Sequence, residues 1–270
     1  MIALSSITLD LRRLDDFAGL NSSIHRLDPR AKCVTTLGCI VAVVSFPKHE
    51  VAALVPFLAF PVLLSALAGI PLDYLAKKIF LALTFAVLVG LANLLTDRQA
   101  LLQLGSLSVS GGLMSFCSIL LRCTVTVATV ITLVAVTGMT EVCLALERLK
   151  VPHIFVVQLL FLYRYLFVLL DEGSRLQQAR LLRSSGRSSL SVIVAGRLIG
   201  QLLLRSLDRA QRIYLAMRCR GFDGEFRRHA PLHFDKIDTL FLISCLATFA
   251  LLRGANLPRL LGTFLEIFFL

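Results

Sequence analysis

Six stretches of the chain are almost wholly apolar: residues 33–46, 51–70, 79–95, 113–139, 154–170 and 237–252. A helix that crosses a bilayer needs about 20 such residues, with a range of about 17–25. The second, third and fourth stretches meet that length. The first and last are short, and flanking residues such as Ala31 extend the first. The tail, 260–270, is shorter still and carries Glu266. The pattern breaks at Pro47, Pro71, Gly111-Gly112, Pro152, Gly186 and Pro231. No internal repeat or low-complexity linker separates the stretches.

Between the last two stretches the pattern changes. From Arg187 to Phe222 it is that of an amphipathic helix. Arg197, Gln201, Arg205, Asp208 and Arg212 recur at three or four residues and share a polar face. Ile199, Leu203, Ala210, Ile213 and Met217 line the other. Gly196 and Gly200 form a GxxxG that lets another helix approach closely.

Composition sharpens this picture. Of 270 residues 57% are hydrophobic, and the mean hydropathy is +0.81, so the bilayer is the chain's solvent. Residues 171–236 hold 13 of the 28 Lys+Arg and 6 of the 17 Asp+Glu, which places 7 of the net +11 charges in one block. The remaining basic residues flank apolar stretches, as positive-inside membrane proteins require, so nucleic-acid binding is not expected. Seven cysteines, none in a CxxC pair, read as small packing residues. Residues 1–17 lack a basic segment followed by an apolar core, so no cleavable export signal is expected there.

Charge also orders the spans. Arg12, Arg13, Arg26, Arg30 and Lys32 put the N-terminus in the cytoplasm. Four crossings return the chain inside at Thr140, with Lys77 and Lys78 inside and the nearly uncharged loop 96–112 outside. A fifth crossing by 154–170 places the basic block outside, against the positive-inside rule. That stretch is therefore expected to lie along the cytoplasmic face, leaving 237–252 as the fifth span. The expectation is an all-α polytopic membrane protein with about five transmembrane helices. It divides into a four-span domain (1–153), cytoplasmic coupling helices (154–236) and a C-terminal span with its tail (237–270).

Two helix ends in the basic block share a design. One closes with Ala216-Met217-Arg218-Cys219-Arg220-Gly221-Phe222, where Gly221 suits a left-handed stop and Arg220 faces the favourable end of the helix dipole. The other closes with Ala179-Arg180-Leu181-Leu182-Arg183-Ser184-Ser185-Gly186. Arginine's planar fork can engage carboxylates or carbonyls of a partner protein.

These paired ends resemble the alanine-arginine-glycine signatures of T components, the transmembrane coupling subunits of energy-coupling-factor (ECF) transporters. The segment His25-Arg26-Leu27-Asp28-Pro29-Arg30-Ala31-Lys32 is similar to the same family's N-terminal motif, with Asp28 capping and Pro29 starting the first helix. Arg164 with Asp171-Glu172 resembles the stretch before the first signature, and Arg220-Gly221-Phe222-Asp223-Gly224 is similar to the cobalt/nickel branch (the CbiQ/NikQ type). The first signature departs from the compact order. Arg183 is the choice for its arginine, with Arg180 the alternative.

The resemblance implies a non-catalytic subunit in a bacterial cytoplasmic membrane, with its N-terminus and coupling region cytoplasmic. It would join two cytosolic ATPase subunits to a substrate-binding membrane subunit (S component) that takes up cobalt or nickel. Arg183, Arg220, Ala216, Gly221 and Gly186 would couple to the ATPases, and Gly196 and Gly200 would serve helix packing. No cofactor or metal site is implied on this chain.

The remaining candidates are weaker. Arg122, nine residues into the fourth stretch, is an intramembrane charge and so a functional candidate; the favoured reading is structural, with its guanidinium snorkelling outward. His229 and His233 are four apart, but Pro231 between them argues against a metal-binding helix. No HExxH, P-loop or nucleophile elbow is present. Two other classes stay open: a membrane enzyme acting on lipid, with His153, Asp171 and Glu172 as its nearest acid–base groups, and a stand-alone secondary transporter, for which repeat symmetry is lacking.

Overall fold

A computed structural model describes residues 10, 12–20, 22–47, 51–96, 100–104, 107–183, 191–224 and 235–254. They fall into two compact units, one within Phe17–Gly138 and Leu232–Leu270, the other within Met1–Asp16 and Met139–Pro231. The architecture is that of a helical polytopic membrane protein. In order come α1 (Pro29–Val44), a 3₁₀ helix (Ala52–Leu58), α2 (Ala59–Ala68), α3 (Leu72–Thr96), a hairpin of β1 (Ala100–Leu104) and β2 (Leu107–Ser110), α4 (Gly111–Thr137), α5 (Met139–Arg148), α6 (His153–Arg183), α7 (Val192–Cys219) and α8 (Lys236–Gly254). Among the described residues α3, α4, α6 and α8 are long and apolar enough to span a bilayer by length and composition.

The first unit is built on α1, α2, α3, α4 and α8. Asp28 caps α1, its carboxylate accepting the Arg30 N–H at 2.8 Å, and Pro29 begins the helix without wasting a donor. Asp238, buried at the start of α8, accepts the backbone N–H of Asp28 at 2.8 Å and that of Asp235 at 2.9 Å. One carboxylate thus joins two helix starts 210 residues apart in sequence.

The second apolar stretch departs from the full-length span its composition suggests. It is a 3₁₀ turn followed by ten α-helical residues, because Pro56 sits inside it and cannot supply an α-helical hydrogen bond. The tighter, more elongated winding has a benefit: at about 2.0 Å per 3₁₀ residue and about 1.5 Å per α residue, 17 residues reach about 29 Å, close to the hydrocarbon thickness. Gly69, at φ 72°, ends the segment.

Between helices in lipid the apolar effect is weak, so packing and hydrogen bonds hold the unit together. Phe57 lies edge-on to Phe46 at 5.6 Å and stacks on Phe249 of α8 at 5.9 Å, and Phe60 meets Phe249 at 5.0 Å. At Gly90 of α3 any side chain would meet the Phe116 ring of α4 at 2.7 Å, so α3 and α4 approach closely there. Arg122 turns inward: its Nη2 donates to the Phe46 and Pro47 carbonyls, both at 2.8 Å. Arg253 donates to the Ser45 carbonyl at 3.1 Å and covers the Phe46 ring at 4.6 Å. Two arginines, one from α4 and one from α8, thus hold the segment that follows α1, which is a structural task.

Candidate functional site

The second unit holds the two arginine-bearing helix ends. α6 and α7 run antiparallel. Phe161 of α6 meets Phe222, just past α7, at 6.3 Å; Glu172 accepts from Arg205 at 2.6 Å; and Gly173 lies opposite Leu202. As the α6 number rises, that of its α7 partner falls. About 33 Å of helix, at about 1.5 Å per residue, separates Phe161 from Arg183. Arg220 therefore marks one end of the pair and Arg183 the other.

The end at Arg220 is sharply built. Gly221 is left-handed at φ 79°, its N–H reaches the Arg218 carbonyl at 3.0 Å, and the Phe222 N–H reaches the Met217 carbonyl at 3.0 Å. This double bond pattern is the Schellman stop, with Arg220 as the C-cap residue. Ala216, Arg218, Arg220 and Gly221 are exposed, while Phe222 tucks its ring toward α6. The guanidinium leaves the helix where the carbonyl dipoles favour a cation, and where a partner can reach it.

At the other end, Arg180 and Arg183 share the last turn of α6. Arg183 is exposed and Arg180 half-buried. Gly186 lies outside the described residues, as do His229 and His233.

The pair is sparsely packed for its length: among the described residues α7 buries none and α6 buries Val156 and Val157. Two apolar grooves of about 370 and 340 Å³ run between the helices. Phe161, Tyr165, Ile213 and Met217 line the larger, and Leu166, Leu170, Leu198 and Leu202 the smaller. Outward-facing apolar side chains include Leu182, Val192, Ile193 and Leu204, each at least 66% exposed. So much exposed apolar surface marks a membrane or protein interface. Gly196 and Gly200 are exposed, and a methyl group on either would find nothing within 4 Å. The contact between α6 and α7 is made elsewhere, through Gly173 and the Glu172–Arg205 bridge.

Sequence patterning placed Arg205 on the polar face and singled out Glu172, but not their pairing, which depends on how two helices are docked. Asp238 and His153 gave no local signal of their partners either. Among the described residues no group of three or more His, Cys, Asp or Glu could hold a metal ion.

Comparison with known proteins supplies a family. Residues 20–231 match the family described as CbiQ, cobalt transport protein. The energy-coupling factor transporter transmembrane protein EcfT of Acidaminococcus fermentans is 29% identical over 249 residues, covering 86% of this chain and 92% of its own. The EcfT of Bacillus subtilis is 26% identical over 250 residues, covering 86% and 93%. The cobalt transport protein CbiQ of Rhodobacter capsulatus is 29% identical over 204 residues, covering 73% and 79%. With the matched region spanning both arginine-bearing ends and the capped first helix, the chain belongs to the CbiQ family, the transmembrane (T) components of ECF-type transporters.

Proposed function

We propose that this chain is the coupling subunit of a transporter that imports a divalent metal, cobalt or nickel. It links two cytosolic ATPase subunits to a substrate-binding membrane subunit. The observation that carries the reading is the pair of exposed arginines, Arg183 and Arg220, at opposite ends of one antiparallel helix pair. With about 33 Å of helix between them, each arginine serves a different ATPase subunit. Exposure favours Arg183 over Arg180 for the α6 end. Ala216 and Gly221 leave room beside Arg220; Gly186 belongs to the same coupling signature on the Arg183 side.

The grooves and exposed apolar side chains of α6 and α7 suit the substrate-binding subunit, whose own surface is apolar. Gly196 and Gly200 offer a helix of that subunit a close approach. When the ATPases close, the arginine-bearing ends are drawn with them, and the sparsely packed pair shifts at low cost. Hydrolysis of ATP and selection of the metal belong to the partners.

The test is capture from membranes. The tagged wild-type chain is expected to bring down two ATPase subunits and a small membrane subunit. Arg183→Glu and Arg220→Glu each reverse a charge at a docking contact, where losing one partner costs about 2–5 kcal/mol. Each is expected to lower ATPase recovery and metal uptake while the chain still inserts. Full recovery and uptake with both arginines reversed rules the assignment out. A chain that is active on lipid with no ATPase attached supports an enzyme instead.

A further inference from the structure

The turn that presents Arg220 is bounded by two left-handed glycines, Gly221 at φ 79° and Gly224 at φ 96°, and neither has a neighbour within 4 Å of where a side chain would sit. Glycine is the residue that gives a backbone the most freedom, so beyond the two Schellman bonds at Gly221 and Phe222 the turn gains from side-chain anchors. Two of these stand out among the described residues. The Phe222 ring packs edge-on against Phe161. Two residues further on, the Gly224 carbonyl meets Nε2 of His153 at 3.1 Å.

His153 is the first residue of α6 and is itself held. Its Nδ1 lies 2.8 Å from Oε1 of Glu147, in the last turn of α5. The chain reversal between them is tight: the Val151 N–H bonds the Leu146 carbonyl and the Lys150 N–H bonds the Glu147 carbonyl, both at 3.1 Å. That reversal brings Glu147 and His153 together. Both partners are acceptors, so the ring makes the two contacts together by donating from both nitrogens, as the imidazolium, to the Glu147 carboxylate and the Gly224 carbonyl. Three segments, the end of α5, the start of α6 and the turn after α7, thus meet on one side chain.

We propose that His153 is a positioning residue for Arg220. It ties the glycine-bounded turn to the α5–α6 corner, so that the guanidinium is offered to its ATPase from one place and movement of that ATPase is passed to α6 as well as α7. This rests on the reading of Arg220 as an ATPase-docking residue. Glu147 holds the ring in place, and Phe222 supplies the second anchor.

The turn can be watched in the chain alone. Of the seven cysteines, all of them described, Cys219 is the exposed one and is adjacent to Arg220. A spin label placed there in the full-length chain in nanodiscs reports the order of the turn, and a cysteine at Val192 labels the far end of α7 as a control. His153→Ala is expected to add a mobile component at Cys219 and none at Val192. His153→Gln, whose amide can still donate to the Gly224 carbonyl, is expected to restore the ordered spectrum. Unlabelled His153→Ala is expected to capture the ATPases about tenfold more weakly, with His153→Gln close to wild type.

An unchanged Cys219 spectrum in His153→Ala overturns the tether, whatever the ATPases do. A mobile turn with undiminished capture overturns the positioning role. Full-strength capture by Arg220→Glu overturns the docking reading itself, a result separable from both. If His153→Ala does not fold, Glu147→Gln loosens the same ring without emptying the corner and is expected to mobilise Cys219 less; an unchanged spectrum there also counts against the proposal.

Discussion

Gly221 and Lys150 occupy the same position in two helix stops, and only one of them suits it. Both close a Schellman motif, Gly221 at φ 79° and Lys150 at φ 70°. A side chain in the left-handed region costs about 1–2 kcal/mol, which glycine avoids. Lys150→Gly is therefore expected to raise stability by about 1 kcal/mol, read as a higher thermal midpoint in detergent; a lower one shows that the lysine makes a contact worth more than its strain. His25 gives a second prediction. Its Nδ1 lies 2.8 Å from the Ser22 hydroxyl and its Nε2 3.0 Å from the Phe17 carbonyl, an arrangement that suits the neutral ring. Burial lowers its pKa below 6.5, the nearby Lys32 charge adds to this, and the bond to Phe17 opposes it. Because the folded value is the lower one, the unfolded chain takes up the proton first as pH falls. The contribution of His25 is complete above pH 6.5 and is lost as pH falls through the folded value. Thermal midpoints measured from about pH 7.5 down to about pH 5 are expected to fall, and His25→Gln to fall less steeply. Equal slopes remove the ring from the account.

At the scale of elements, a polar link joins α6 and α7 where a packed pair would have a core. The Glu172–Arg205 bridge is short, at 2.6 Å, but Arg205 is half exposed. Solvent screening holds such a bridge to about 0.2–1 kcal/mol. A double-mutant cycle with Glu172→Gln and Arg205→Gln is expected to give a coupling energy in that range; one near zero makes the bridge incidental, and one several times larger means the site is drier than its exposure suggests. Glu172 and Arg205 also show how far the sequence could be read. The long apolar helices α3, α4 and α8, the Asp28 cap and the left-handed Gly221 were legible, because each is declared by residues a few positions apart. Their pairing partners were not. Asp238 meets Asp28 across 210 residues, and Glu172 meets Arg205 only once α6 and α7 are docked. The 3₁₀ segment escaped for another reason: Pro56 leaves the apolar stretch intact in composition and changes only its winding. α5 escaped as well, since its ten residues begin right after Gly138, at φ 79°, and continue the apolar run of α4 for only one residue.

For the whole molecule the open quantity is the side of the membrane on which the helix pair lies, and the pairing itself bears on it. Taken alone, α6 is long and apolar enough to cross. It is, however, paired with α7 from Phe161–Phe222 to Gly173–Leu202, so the two helices share one depth in the bilayer. α7 carries Arg197, Arg205, Asp208, Arg209 and Arg212, all exposed. Each such charge at the centre of a bilayer costs about 2.5–3.5 kcal/mol on insertion scales. Four arginines and an aspartate make that depth prohibitive, whereas at the interface the charges face water and the apolar side chains face lipid or a partner. The pair is thus expected to lie along the cytoplasmic face, where short basic segments are retained, and α8 then supplies the crossing that follows. Single cysteines at Gly105 and Ser188, in a variant lacking the native seven, test this in intact cells with a thiol reagent that cannot cross the membrane. Gly105 is expected to react from outside, and Ser188 only after the membrane is opened. Reaction of Ser188 in intact cells makes α6 a full crossing and puts the arginines outside, where cytosolic ATPases cannot reach them. The coupling role then fails together with the topology, because both depend on Arg183 and Arg220 facing the compartment that holds ATP.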